Sequence, residues 1–163
     1  PLKMPFWTEQ KTYKVFDSSL MKGVDTTFVA EEQVQGLNTY KFTSKVDAVK
    51  TGNQGDAEVW YQDEQTIWVE PTTGQVVNGT NKQKTWLKNA DGSDGLVIID
   101  GQLGFTEQEV TDSVNQAKEN SAKLNLVNST LPIVCLVLGA IGLIVGILLL
   151  RRSENEGSGG STT

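Results

Sequence analysis

Four carboxylates have the residue type and spacing that catalysis could use. They flank two neighbouring segments rich in aromatic residues, and they are Glu58, Asp63, Glu64 and Glu70. Paired carboxylates beside tryptophan are what glycoside hydrolases use as acid, base or nucleophile. Acidic residues are equally ordinary on the solvent-facing side of a sheet, and the chain holds no other catalytic motif of the known kinds. An enzyme acting on glycans is therefore one hypothesis, and no residue is assigned a catalytic role.

Aromatic residues are the second candidate for a functional site. The candidate groove residues are Trp60, Tyr61, Trp68 and Trp86. Such side chains could line a groove for a sugar or an acyl chain. They could also simply fill the interior of a sheet, as aromatic residues usually do.

Several kinds of site are excluded by composition. The chain has no histidine, which removes Ser-His and Cys-His catalysis and every histidine-containing metal site. The acidic loop Asn89–Gly95 lacks the glycine and glutamate that an EF-hand requires, so it is predicted to be a plain hairpin loop. We expect neither a metal nor a cofactor.

The charge balance bears on possible partners. Among 163 residues, 14 are basic and 20 acidic, giving a net charge of -6. A nucleic-acid binder needs a basic face to neutralise phosphates, so nucleic acid is not expected as a partner.

The elements that must position these residues are strands in an N-terminal domain, residues 1–105. Period-two alternation is clear over Leu37–Asp47, and Pro71–Gly74 is a tight turn. Gln35-Gly36 is also predicted to be a turn, and Asp63-Glu64 to be the turn of a hairpin. We predict seven or eight strands joined by short turns, hence an antiparallel meander forming a curved sheet or partial barrel. The other predicted strands are Lys11–Asp17, Asp25–Val34, the hairpin Asp56–Gln62 and Gln65–Glu70, Gln75–Leu87, and Leu96–Leu103 as the most buried, with Lys50–Gly55 as a loop.

A helix is predicted over residues 106–130. Thr106 and Glu109 fit a capping box, with Phe105 and Val110 placed as a hydrophobic staple. Apolar residues then recur at helical spacing, and Pro132 could break or kink the helix near 128–132. We expect an amphipathic juxtamembrane helix that continues into the next segment.

Residues 131–150 are uniformly apolar and end at Arg151 and Arg152. About 20 residues match the hydrocarbon thickness of a bilayer, so a transmembrane helix is predicted. Gly139, Gly142 and Gly146 share a helix face that could pack against a membrane-protein partner or a second copy, although glycine is also common in spans. Cys135, the sole cysteine, is interpreted as a lipid-facing small residue.

The two arginines set the expected orientation. Because basic residues favour the cytoplasmic side, the sequence predicts a single-pass plasma-membrane protein with an extracytoplasmic N-terminal domain and a cytoplasmic C-terminus. Residues 151–163 are predicted to be a disordered tail because they are rich in Gly and Ser. The start at Pro1 without methionine suggests a processed product or a fragment.

Three segments carry a resemblance to a known family: PFWTEQKTYKVFD, TFVAEEQVQGLNTYKF and, above all, TIWVEPTTGQVVNG. They resemble the actinobacterial porin PorA family, and the resemblance covers about residues 1–150. It implies a cell-envelope channel, and other associations of the family imply lipoglycan metabolism. Members usually have a longer extracytoplasmic region and an N-terminal span, so this chain would be the C-terminal portion. The family brings no catalytic residues.

Three functional hypotheses follow. The first is a membrane-anchored, non-catalytic binding domain in envelope assembly, with an envelope lipid or glycan as a possible ligand. The alternative is a subunit of an oligomeric channel, because one helix cannot enclose a pore. The third is the carboxylate enzyme.

Overall fold

The computed structural model describes residues 3–157, which divide into two compact units, one ending at Ser121 and one beginning at Ala122. The first unit contains a single antiparallel sheet of six strands, which lie in chain order, followed by the larger part of a helix, α1 (Glu107–Asn125). The strands are β1 (Tyr13–Asp17), β2 (Lys22–Val34), β3 (Leu37–Gln54), β4 (Ala57–Glu70), β5 (Gln75–Lys88) and β6 (Asp94–Gly104).

The predicted antiparallel meander followed by a long helix is confirmed. Every strand pairs with the one before it, as short connections dictate. The described strands number six, where the sequence predicts seven or eight, and the sheet stays open, with β1 and β6 as its two edges. Of the two predicted shapes, the structure therefore has the open sheet and not the partial barrel.

The strand count is lower because the two strands of the predicted hairpin form one strand, β4, and β3 is also longer than predicted. The predicted loop Lys50–Gly55 belongs largely to β3, and Asp63 and Glu64, predicted to form a turn, lie within β4. Glu64 pairs with Lys45 on one side and Lys82 on the other. Opposite charges across a ladder stabilise an extended strand, so two acidic residues here do not make a turn.

Two predicted turns are confirmed. Gln35 and Gly36 both have positive φ, 47° and 73°, as a two-residue hairpin turn requires. At Pro71–Gly74, Glu70 accepts hydrogen bonds from the backbone nitrogens of Thr72 (2.9 Å) and Thr73 (2.8 Å). Glu70 is 4% exposed, so this carboxylate holds the turn.

Gly74 fixes the N-terminal segment on this turn. Its φ is +69°, and a Cβ at this position would overlap the backbone oxygens of Met4 and Pro5. The Met4 nitrogen donates a hydrogen bond to the Gly74 oxygen at 2.8 Å, and the Thr8 nitrogen donates to Pro71 at 2.7 Å. The irregular lead-in is therefore pinned to the end of the sheet.

The main core lies on one face of the sheet, which we call the inner face, the face that carries Phe42 and Ile67. Phe42 is fully buried and contacts Phe28 and Tyr13 edge to face, with ring centroids 5.8 and 5.9 Å apart. Edge-to-face rings stabilise a core beyond the area they bury. Met4 completes this cluster from the N-terminal segment.

Helix α1 (Glu107–Asn125) begins with the predicted capping box, which is confirmed. The Thr106 nitrogen donates to Glu109 Oε2 at 2.7 Å, and the Glu109 nitrogen donates to Thr106 Oγ1 at 3.3 Å. Val114 and Ala117, both on the predicted apolar stripe, are buried against Val77 of β5. This packing fixes the first half of α1 on the sheet.

Strand β6 corrects another expectation. The sequence predicts Leu96–Leu103 as the most buried strand, but Leu96 is 70% and Leu103 73% exposed. The prediction is wrong because β6 is an edge strand that pairs only with β5. An apolar run establishes that a strand can be buried, while its place in the sheet decides whether it is.

The second unit is helical. A π-helix, Leu126–Thr130, ends two residues before Pro132, in the region where the sequence predicts a break. Helix α2 spans Leu131–Gly157, so residues 151–157 of the predicted tail are helical, and 158–163 lie outside the described residues. Among the described residues, one helix is apolar and long enough to cross a membrane, with a mean hydropathy of 2.3 in its most apolar stretch. None of that stretch is buried, so it is not a core helix of this chain.

Candidate functional site

A band of polar side chains crosses the inner face of the sheet. Cross-strand register places one residue from each of four neighbouring strands in a row, Thr26, Ser44, Gln65 and Asn81. The adjacent row on the same face holds Asp63 opposite Gln83. Sheet positions beside a core are normally apolar, so this polar band is the informative feature of the face.

The polar band forms a cleft of about 270 Å³, which we call the polar cleft. Five residues matter most for its chemistry: Asp17, Thr26, Tyr61, Asp63 and Asn81. Strands β1 to β5 all contribute to its walls.

Hydrogen bonds hold the two carboxylates of the polar cleft in place. The Tyr61 hydroxyl donates to Asp17 Oδ2 at 2.9 Å, and the Asn81 amide donates to Asp63 Oδ1 at 2.7 Å. Thr26 Oγ1 is buried and has no hydrogen-bond partner. A buried hydroxyl without a hydrogen-bond partner lowers the stability of the fold, so Thr26 is not the residue that stability alone would favour at this position.

Burial governs the protonation of two groups in the polar cleft. It raises the pKa of Asp63 above its ordinary value, and the nearby charge of Asp17 adds to that rise, while the amide of Asn81 opposes it. Burial also raises the pKa of Tyr61, together with its hydrogen bond to Asp17. Tyr61 therefore stays a neutral donor at neutral pH.

A second, larger cleft of about 680 Å³ lies between α1 and the sheet, and we call it the helix cleft. Ile67, Val76 and Phe105 supply apolar surface. Amide and hydroxyl side chains from the sheet and from α1 complete the lining, and they include Gln65, Asn81, Ser113, Gln116 and Asn120. Gln65 and Asn81 line both clefts, so the two are neighbours on the inner face.

The structure separates the four aromatic residues of the predicted groove. Trp60 and Trp86 lie together, with ring centroids 6.2 Å apart. Trp68 lies elsewhere, packed against the α1 cluster with its Nε1 donating to Glu32 at 2.8 Å. Tyr61 lies on the face of β4 opposite to Trp60 and Trp68, and it lines the polar cleft. None of the three tryptophans lines either cleft.

The four candidate carboxylates do not converge on one site either. Glu58 pairs with Lys50 at 2.9 Å and accepts from Trp60 Nε1, while Glu64 lies in an exposed ladder of lysines. Glu70 holds the Pro71–Gly74 turn. Only Asp63 lies in a cleft. In the described part of the chain, no three His, Cys, Asp or Glu side chains cluster as metal ligands would.

Comparison with known proteins gives a family. The model of the family described as Porin PorA matches residues 2–148. The chain belongs to this family. The resemblance of the three sequence segments is thereby confirmed.

Two PorA relatives come from corynebacteria. The protein named Porin PorA of Corynebacterium amycolatum is 21% identical, over 93% of this chain and 53% of its own length. The Porin PorA of Corynebacterium resistens is also 21% identical, over 94% of this chain and 56% of its own length. The chain thus spans about half the length of the curated relatives it matches. Membership of the PorA family associates the chain with a cell-envelope membrane and favours a protein that is not an enzyme.

In this PorA-family chain, three glycines of α2 lie along one side of the helix, which we call the glycine line. A Cβ added at Gly139, Gly142 or Gly146 would meet no atom within 4 Å. At about 100° per residue, the three glycines lie within an arc of about 60°, and Cys135 falls in the same arc. Cys135 is exposed. Helix α2 includes Arg151 and Arg152, whose side chains lie outside the described part of the structure.

Sequence reasoning missed Asp17 and Thr26. Asp17 is the last residue of the short strand β1 and resembles an ordinary turn residue, since its Oδ1 also accepts from the nitrogens of Ser19 and Leu20. The available signal was the face of β3 that alternates Tyr40, Phe42, Ser44 and Val46, because a serine interrupts an otherwise apolar set. Register with the neighbouring strands was needed to extend that signal.

Proposed function

We propose that this chain is a subunit of an oligomeric channel of the cell envelope, anchored by α2. Membership of the PorA family carries this proposal, because the relatives are named porins. A single helix cannot enclose an aqueous path, so a channel requires several copies or a membrane-protein partner around it. The six-stranded sheet, which is open, does not supply that enclosure.

The glycine line of α2 supports the oligomer. Within the described residues, a Cβ at Gly139, Gly142 or Gly146 would meet no atom outside the helix's own backbone, so that part of the fold does not require glycine there. Small residues allow two helices in a membrane to approach closely and to gain contacts that lipid does not match. The line is therefore proposed as the face that packs against a second copy.

The proposed orientation follows from the charges at the end of the apolar stretch. Arg151 and Arg152 would lie in the cytoplasm and the sheet outside it, since basic residues flank the cytoplasmic end of most spans. In this arrangement the clefts of the sheet face the envelope and not the cytosol.

Planar-bilayer recording of the full chain tests the channel. We expect stepwise conductance from the purified protein. Combining Gly142→Leu with Gly146→Leu should abolish it and dissociate the oligomer on size exclusion with light scattering, because leucine separates the helix axes.

Ala140→Leu is the matched control, since it adds the same side chain about 100° or more away from the glycines. It should leave conductance and assembly unchanged. Absence of conductance from the wild-type chain in repeated recordings rejects the channel, and equal loss in Ala140→Leu rejects the glycine face.

A second function, a binding domain for an envelope lipid, is favoured by the helix cleft. Its volume of about 680 Å³ lies within the usual range for ligand pockets, and Ile67, Val76 and Phe105 give it apolar surface. Solvent extraction of the purified chain followed by mass spectrometry tests this. Recovery of a lipid in stoichiometric amount supports the function, and a chain that carries none counts against it.

A further inference from the structure

The polar cleft is built at a cost to the fold. Thr26 is 1% and Asp63 6% exposed, and each occupies a position beside the apolar core. Thr26 Oγ1 has no partner, and the Asp63 carboxylate is removed from water with the amide of Asn81 as its hydrogen-bond donor. Apolar residues at these positions would pack without that cost. Residues that break a local rule in this way are expected where a ligand supplies the missing interaction.

The lining restricts the chemistry of that ligand. No lysine or arginine lines the polar cleft, so a phosphate or carboxylate would face Asp17 and Asp63 without a counter-charge. Beside the apolar Val15, Phe16 and Val24, the polar side chains of the lining are carboxylates, hydroxyls and amides, which together both accept and donate hydrogen bonds. A matching ligand must therefore carry both donors and acceptors and no negative charge.

The geometry also argues against a metal cation. Both oxygens of Asp17 already accept hydrogen bonds, Oδ1 from the Ser19 and Leu20 nitrogens and Oδ2 from Tyr61. One oxygen of Asp63 accepts from Asn81. Calcium requires six to eight oxygen ligands, and oxygens committed to donors in this way do not form such a set.

We propose that the polar cleft binds a neutral saccharide unit. A ring hydroxyl donates to the second oxygen of Asp63, and another pairs with Thr26 Oγ1. Gln65 and Asn81 continue into the helix cleft, which has room for a further part of the same molecule. This site is independent of the proposed channel, because its residues lie in the sheet and a conductance measurement does not report on it.

Saturation-transfer-difference NMR tests the proposal on the full chain in lipid nanodiscs. Nanodiscs are required because many mild detergents have sugar headgroups that would occupy the cleft. The probes are glucose, mannose, galactose and trehalose, each at millimolar concentration. We expect transfer to the ring protons of at least one of them, and transfer to none overturns the proposal.

Asp63→Asn is the decisive variant, with Asp56→Asn as its control in an exposed turn. Loss of a charge-assisted hydrogen bond should weaken binding about tenfold or more in Asp63→Asn and leave Asp56→Asn unchanged. The unfolding midpoint of Asp63→Asn should stay equal or rise. A purely structural Asp63 would give the opposite pattern, with a lower midpoint and unchanged binding, and that result rejects the site.

Thr26→Val provides a second variant of nearly identical shape. It should also weaken binding while the chain stays folded, because valine removes the hydroxyl without removing volume. Calcium chloride is the competing probe. Saturable binding of calcium that Asp63→Asn abolishes, without transfer to any sugar, replaces the saccharide by a cation and overturns the proposal.

Discussion

Strand β6 and the polar band invert the usual distribution of side chains in a sheet. Val97, Ile98 and Ile99 are apolar yet nearly half exposed. Thr26, Ser44 and Asp63 are polar yet buried. The difference arises from position, since β6 has one neighbouring strand whereas β2 to β4 have two.

Exposed apolar residues and buried polar residues differ in what they indicate about function. An exposed apolar side chain on an edge strand costs the isolated fold little, because it gives up no hydrogen bond when the chain folds. Buried polar side chains are costly unless they are paired. The polar band is therefore the stronger indication of function, and β6 by itself indicates none.

Replacement of a core residue next to the polar band should have the largest effect. Phe42→Ala removes a fully buried ring that contacts Phe28 and Tyr13. We expect a loss of about 3–5 kcal/mol in the free energy of unfolding. Denaturant titration followed by tryptophan fluorescence measures it. A loss below that of Val97→Ala would contradict the assignment of the core to the inner face.

Thr26→Val should change the free energy of unfolding in the opposite direction. Because the Thr26 hydroxyl has no partner, valine should stabilise the fold by about 1 kcal/mol. The control is Thr27→Val, whose hydroxyl lies 3.2 Å from that of Thr12 and is exposed. Destabilisation by Thr26→Val in the same titration would show that its hydroxyl has a partner after all.

The charge of Asp63 should make stability depend on pH. Its pKa is raised in the folded chain, so its contribution is fully present below the ordinary value of 3.8 and is lost as pH rises through the raised pKa. Asp63→Asn should therefore match the wild type in stability at low pH and exceed it at neutral pH. Unfolding midpoints over a pH series check this, and a constant difference would contradict it.

The smallest effect is expected on β6. Leu96→Ser changes a residue that is 70% exposed, so the free energy of unfolding should change by less than about 0.5 kcal/mol. The same titration measures it. A loss of 2 kcal/mol or more, the scale of a buried leucine, would mean that β6 is covered in the assembled protein and is not an exposed edge.

Local chemistry made much of the fold predictable. The turns at Gln35-Gly36 and Pro71–Gly74 and the box of Thr106 and Glu109 are each specified by a few adjacent residues. The long strands were not predictable, because Asp63-Glu64 reads as a turn until the lysines opposite Glu64 are known. The polar cleft was not predictable either, since it depends on which residues register places beside Asp63.

Gly74 links parts of the chain that are far apart in sequence. Because its backbone lies against Met4 and Pro5, any side chain at this position would displace the N-terminal segment from the turn. Met4 would leave the core cluster with it. One methyl group at position 74 would therefore loosen both the first residues of the chain and the connection between β4 and β5.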